Sequence, residues 1–459
     1  MRRIPRTLSL AFMVMIGLGA CASPATLVPS VASTAVERTT ATALPPTPAQ
    51  LPSLTPIPTA FPGGLYVDAL QDLGAISPLV FGSNFGPRLF VTADVLPQAK
   101  AAKITYLRFP DGNWGDLNDL DEWQIDQFIT LCKQLGASPA ISVRLNGGSP
   151  EKAAALVRLV NVEKKYGVRY WSIGNEPSLY QDYDTQRYNR DWRQYAEAMR
   201  AVDPSILLVG PDIHQYTANP DQNPKDSAGR DWMEEFLKAN GDRVDIVSIH
   251  RYPFPRAGGD APTKEDLRAN SQEWDQIIPA LRAQIRAATG KDMPVAVTEI
   301  NSSWVGNTGG EATMDSYYNA IWWGDVLGRL IRQGVDVVAQ FELVDEFGLM
   351  GKDKVYPIYY VYILYGQFGQ QRVYASSDIA DVSLFAAKRA DGALTLMFIN
   401  LSPEDKQAPL KIDGFAAERN TRALRLDASH NAEAVDLAIQ DGKVELPAES
   451  ITLIILEKT

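Results

Sequence analysis

The chain has 459 residues, 44 basic and 55 acidic, with 45% apolar and 22% charged residues and a formal net charge of −11. This length admits one barrel of about 250 residues plus a smaller module, and the composition lies in the ordinary globular range. The acidic excess argues against nucleic acid as a partner, because phosphate binding requires a concentrated basic surface.

Residues 1–20 read as an export signal. Arg2, Arg3 and Arg6 form a basic front, and Leu8 to Leu18 form an apolar stretch too short to span a membrane as a stable helix. Leu18-Gly19-Ala20-Cys21 then resembles a bacterial lipobox, whose Cys thiol receives a diacylglycerol, so Cys21 is the expected lipidation site. The simpler alternative is ordinary signal cleavage with an incidental Cys. Residues 21–62 are rich in Thr, Pro, Ala and Ser with almost no charge, a composition that cannot bury a core and favours an extended spacer. Membrane contact is therefore expected only through the N-terminal lipid, with the folded part facing outside the cytoplasm at the bacterial surface or envelope. Without the three leader arginines the balance is 41 basic to 55 acidic, which suits neutral sugars better than polyanions.

Over residues 63–370, apolar β-rich runs alternate with amphipathic helical stretches, the pattern of a parallel sheet wrapped by helices. Eight strands are expected: Leu79–Phe85, Ile104–Phe109, Ala137–Val143, Arg169–Ile173, Ile206–Gly210, Val244–Ile249, Pro294–Thr298 and Val335–Phe341. Helical periods fall at Lys152–Lys164, Asp191–Ala201, Trp232–Ala239, Lys264–Ala288 and Ser316–Gln333. Cys132 sits on the apolar face of another helical stretch and reads as a buried structural thiol. Residues 371–459 lose the helices and alternate apolar with polar around Asp-Gly turns. The fold class is thus α/β, a (β/α)8 TIM barrel with an accessory C-terminal antiparallel β-sandwich-like domain. Residues 63–72 form a further strand that could join that domain.

Catalytic residues of such barrels stand at the carboxyl ends of the strands. Those ends carry Asn84; Arg108 with Asp111, Asn113 and Trp114; Arg144 with Asn146; Asn175 with Glu176; Asp212 with His214; His250 with Tyr252; Glu299 with Asn301 and Trp304; and Gln340 with Glu342. In "YWSIGNEPSLY" an apolar strand ends at Glu176, and in "MPVAVTEINSSW" another ends at Glu299. Two carboxyls from the fourth and seventh strands suit glycosidic cleavage, in which one protonates the leaving oxygen while the other meets the positively charged transition state. With three His and no His-x-His pair, neither a metal nor another cofactor is called for.

These motifs, "GNEP" at Glu176 and "TE" at Glu299, resemble the large clan of retaining glycosidases with acid/base and nucleophile after barrel strands four and seven. Within it the chain is most similar to glycoside hydrolase family 39, and next to family 51. The resemblance implies Glu176 as acid/base and Glu299 as nucleophile. It also implies Asn175 on a sugar 2-hydroxyl, Tyr252 near the nucleophile beside His250, and Arg108 keeping Glu299 ionised. Besides Asn175, Arg108, His250 and Tyr252, substrate contacts are expected from Asn113, Trp114, Asn146, Asn301, Trp304 and Glu342. Glu342 stands where many relatives place an aromatic platform. The implied activity is hydrolysis of oligo- or polysaccharides of β-xylosidase, α-L-arabinofuranosidase or endo-glycosidase type. The ionised Glu299 is expected to raise the pKa of Glu176. Two alternatives share parts of the pattern: a lipid-anchored solute-binding protein, and a barrel that binds glycan without cleaving it.

Overall fold

The computed structural model describes residues 61–255, 261–306, 308–436 and 439–458. Cys21, the export signal and nearly all of the spacer lie outside the described residues. The first described strand, β1 (Leu65–Ala75), precedes eight parallel strands that close on one another in chain order. These are β2 (Gly82–Asn84), β3 (Tyr106–Phe109), β4 (Ser138–Val143), β5 (Tyr170–Ile173), β6 (Leu207–Ile213), β7 (Ile246–Arg251), β8 (Val295–Ile300) and β9 (Val337–Gln340), with β9 pairing back onto β2. All eight expected strands form. The first is shorter than expected because Pro78 fixes its backbone and the Ser77 hydroxyl accepts from the Leu79 amide, which turns Pro78–Val80 into a 3-10 coil. The long period at 264–288 is two helices, Lys264–Asn270 and Trp274–Thr289, joined by a 3-10 turn.

The remaining strands are β10 (Gln371–Ser377), β11 (Val382–Lys388), β12 (Leu394–Asn400), β13 (Lys406–Asp413), β14 (Ala417–Asp427), β15 (His430–Val435), β16 (Ile439–Gln440), β17 (Lys443–Leu446) and β18 (Ser450–Lys458). With β1 they build a ten-stranded ladder in the order β15-β14-β18-β12-β11-β10-β1-β13-β17-β16. The ladder departs from a purely antiparallel sheet at one joint, where β1 runs parallel to β13. The period of two decides its packing. Leu384, Leu396, Phe398 and Ile454 share one core with Leu65 and Val67 of β1 and Val444 of β17, so the ladder folds over itself in two layers. The alternate residues Phe385, Met397, Ile399, Ile451 and Leu453 join the core that surrounds the barrel.

The buried helix Tyr317–Arg332 is the seam between barrel and sheet, and glycines set how closely it can approach. A Cβ at Gly328 would lie 2.2 Å from Cε2 of Phe385, and one at Gly324 would lie 2.4 Å from Cδ1 of Ile451. In an open helix Gly→Ala stabilises by about 1 kcal/mol. Here the forced displacement of a packed aromatic ring costs about 1–3 kcal/mol and outweighs that gain. Gly328→Ala should therefore lower stability in a chemical denaturation titration; a rise of about 1 kcal/mol would refute the close seam.

Candidate active site

Along the barrel strands the interior changes from apolar to polar toward the carboxyl ends. Tyr106, Ala140, Val209, Ile246, Ala296 and Val337 fill the lower interior. Two residues further along, β3, β7 and β8 present Arg108, Ser248 and Thr298, all buried. Register then breaks at two points. Pairing shifts between Gly210 and Ile213 in β6, where Asp212 takes a left-handed backbone (φ 54°), and between Val297 and Ile300 in β8. Such irregularities re-aim side chains. Thr298 and Glu299, though consecutive, both face inward: Thr298 Oγ1 donates to Asp212 Oδ1 at 2.6 Å, and Glu299 Oε1 accepts from Arg108.

Arg108 is the hub. Its Nη1 donates to Glu299 Oε1 (2.8 Å) and Asn84 Oδ1 (3.0 Å), and its Nη2 to Asn175 Oδ1 (2.8 Å) and Asp212 Oδ2 (3.4 Å). Burial alone would favour a neutral guanidine, but the carboxylates of Asp212 and Glu299 outweigh it and hold Arg108 charged. Burial likewise works to raise Asp212, yet Arg108 and His250 hold it well below the usual carboxylate range. The second oxygen of Glu299 accepts from the Tyr252 hydroxyl at 2.8 Å, so the donors fix both oxygens of this carboxylate.

Glu176 stands just past β5 with a left-handed backbone (φ 45°), before Pro177 opens a short 3-10 turn. Its Oε1 lies 3.0 Å from Nδ1 of the fully buried His250, whose Nε2 faces Asp212 Oδ1 at 3.7 Å. Burial opposes charge on His250, but Glu299, Asp212 and Glu176 surround it and push its pKa up to about 9. Burial also works to raise Glu176, and the imidazolium overcomes it, leaving Glu176 below its ordinary value. This reverses the expectation that Glu299 would hold the proton on Glu176: the intervening cation dominates. Among the described residues, Glu176, His250 and Glu299 form the one cluster with metal-ligand chemistry, their donor atoms all within 4.8 Å of one another. Arg108 already supplies Glu299 with a cation, and a protonated His250 has no free lone pair.

A cavity of about 450 Å³ opens over these groups, lined by Asn113, Asn175, Glu176, Tyr252, Glu299 and Trp304 among the residues expected there. Asn175 Nδ2 reaches Asn113 Oδ1 at 3.3 Å, and the half-exposed Trp304 is held by Nε1 donating to the Pro255 carbonyl at 3.1 Å. Arg108 and His250 lie beneath this lining.

Besides Arg108 and His250, four expected contacts fall outside the cavity lining. Trp114 begins the short helix Trp114–Leu117, and the Asn146 carbonyl accepts from Arg144 Nε. Asn301 is turned into the protein, its Nδ2 donating to the carbonyls of Phe341 and Phe347. Glu342 is buried with Oε2 unpartnered, and burial together with Asp111 raises its pKa well above the carboxylate range. The platform after the eighth strand is aromatic after all: Phe341 and Phe347 line the cavity, one residue before and five after Glu342, and pack edge to face with ring centres 5.8 Å apart. Gly112, Leu179, His214 and Gln215 complete the wall. His214 Nδ1 sits 2.6 Å from Ser178 Oγ, and burial lowers its pKa. Asp212 and His214 were visible as strand-end polar residues; Phe341 stands between Gln340 and Glu342, the two polar residues that drew attention at that strand end.

Residues 157–345, from the helix before the fourth barrel strand to just past the eighth, match the model of glycosyl hydrolases family 39. A beta-xylosidase of Geobacillus stearothermophilus is 25% identical over 279 residues, which is 52% of this chain and 49% of the relative. An alpha-L-arabinofuranosidase C of Emericella nidulans is 26% identical over 25% of this chain and 31% of its own length. The chain thus spans about half or less of these curated relatives. The solved GH51 arabinofuranosidase from Xanthomonas axonopodis pv. citri superposes with a TM-score of 0.70 at 16% identity, covering 86% of this chain and all of that one. In sequence, therefore, the chain is similar to glycosyl hydrolases family 39 from the fourth to the eighth barrel strand, and in fold it matches the family 51 barrel with its β domain.

Proposed function

We propose that the chain is a retaining glycoside hydrolase, with Glu299 as nucleophile and Glu176 as acid/base. The observation that carries this reading is the pair itself: two carboxyls from facing strands border one cavity, with oxygens within 4.8 Å of each other. Retaining enzymes hold their carboxyls about 5–5.5 Å apart, whereas inverting enzymes leave about 6.5–9.5 Å for a water. The environments of the two groups also divide the labour. Arg108 and Tyr252 donate to the two oxygens of Glu299 and hold it oriented for attack on the anomeric carbon. Glu176 shares a proton with His250. In the open cavity that proton rests on the imidazole. A sugar that fills the cavity expels water, which penalises the separated charges and returns the proton to Glu176, next to the leaving oxygen. Glu176 then takes a proton from water in the second step, and the glycosyl ester on Glu299 is hydrolysed. Asn175 Nδ2, facing the cavity beside Asn113, suits a sugar 2-hydroxyl.

The substrate we infer is a pentose-containing or related neutral oligo- or polysaccharide, in keeping with the xylosidase and arabinofuranosidase among the relatives. We also infer export and lipid attachment at Cys21, from the lipobox and spacer alone.

Glu176→Gln and Glu299→Gln should each lower kcat on the cleaved substrate on the order of 10³-fold while circular dichroism stays unchanged. NMR of the first product should show retained anomeric configuration; an inverted product would reject the double displacement. The shared proton also sets the pH profile. The Glu176–His250 pair keeps one proton until the pH passes the His250 value of about 9, so activity should decline only above that. In His250→Asn that proton has Glu176 as its sole seat, and the alkaline limb of kcat/KM should move down by one or more pH units. A limb that does not move would exclude proton sharing. For the anchor, mass spectrometry of the membrane-bound protein should find a diacylglyceryl-modified Cys21 at the mature N-terminus, and Cys21→Ala should release the protein from the membrane.

A further inference from the structure

A second concavity, about 190 Å³, lies between the loop that follows the first barrel strand and the helix Glu122–Leu135. Its floor is a stack of rings: Phe109 lies on Phe128 with centres 4.4 Å apart and planes at 10°, and Phe85 lies on Phe109 at 6.5 Å. Two more rings on its border, Trp123 and Phe90, are 59% and 64% exposed. Folding does not account for them, since they leave most of their apolar surface in water. The groove's polar groups are carboxamides and a hydroxyl, with Gln127, Thr130 and Gln134 recurring on one helix face, and none of its described lining residues is charged. In a chain with 22% charged residues, a rim of aromatic planes and neutral hydrogen-bonding groups selects a neutral polyhydroxylated ring. Its C–H face packs on the aromatic planes, and its hydroxyls bond to amides. None of the lining residues offers a counter-ion to a charged peptide or lipid headgroup.

The groove also adjoins the catalytic cavity. Gly86, in its lining, abuts Asp111 so closely that a Cβ there would lie 2.2 Å from Asp111 Oδ1. The next residue, Gly112, lines the catalytic cavity, where a Cβ would lie 3.5 Å from Glu299 Oε1.

We propose that this groove is a distal carbohydrate subsite, in which Trp123 and Phe90 hold a neutral sugar unit of the same chain whose linkage is cleaved at Glu176 and Glu299. The inference rests on the glycosidase reading above and deepens it: the substrate is an extended chain rather than a single terminal residue on a small aglycone. The test uses full-length protein and xylo-, cello- and arabino-oligosaccharides of two and six units. For the series that the wild type cleaves, kcat/KM for the hexamer should exceed that for the dimer by about tenfold or more. Trp123→Ala and Phe90→Ala should reduce this ratio by about tenfold. Calorimetric titration of the Glu176→Gln protein, with and without Trp123→Ala, should give the same loss in hexamer affinity. Both side chains are exposed, and circular dichroism verifies the fold of each variant. Equal kcat/KM for dimer and hexamer, or a ratio unchanged in both folded variants, overturns the subsite while leaving the catalytic reading intact. Absence of cleavage and binding across all three series overturns the catalytic reading and the subsite with it.

Discussion

A single buried guanidinium holds the mouth of this barrel together. Arg108 bonds to Asn84 at the end of the first barrel strand, Asn175 after the fourth, Asp212 on the fifth and Glu299 on the seventh. A cation this deep stays charged because the carboxylates of Asp212 and Glu299 face it, and Asp212 in turn is held as an anion by Arg108 together with His250. Removing the carboxylates leaves an uncompensated cation beneath the cavity lining, and removing Arg108 leaves Asp212 without its main partner. The same mutual dependence positions the chemistry: the bonds that satisfy Arg108 orient one carboxylate of the candidate pair and the amide that precedes the other.

His250 extends that network to Glu176 and divides the protons. Arg108 and Tyr252 meet the two oxygens of Glu299, whereas Glu176 meets only the imidazole at hydrogen-bonding distance among its described contacts. Two carboxyls of the same type are thereby given different neighbours, one a permanent cation and the other a titratable one. This is the physical basis on which one fold can keep an acid and a base side by side at one pH.

The barrel was legible because most of its strands are buried on both faces and read as largely apolar runs that stop at polar residues. Glu176 and Glu299 were legible for the same reason, each ending such a run. What the runs do not carry is parity. Without alternation, nothing in the letters says which of two neighbours faces inward, and bulges change the answer. Glu342 was therefore expected in the cavity where Phe341 stands, and Asn301, a strand-end amide like Asn175, proved to brace the Phe341–Phe347 turn from behind. Asp212 reaches Arg108 only through a register break and a left-handed residue, which no residue pattern announces. In the terminal sheet the period of two sorts side chains between two apolar cores rather than between core and water, and the layering followed from it. The parallel joint between β1 and β13 did not, because strand direction is fixed by distant partners.

That joint has a consequence for how the molecule is made. Leu65 pairs with Ser377 on one side and Leu410 on the other, so the earliest described strand cannot find its place until both are available. During synthesis it must wait while every barrel unit is completed, with both edges unpaired and Val67 and Ala69 without their core. Its contact order is among the highest the topology allows, which makes the docking of β1 a late and slow step, and the waiting strand a surface that a chaperone or a second nascent chain can find first.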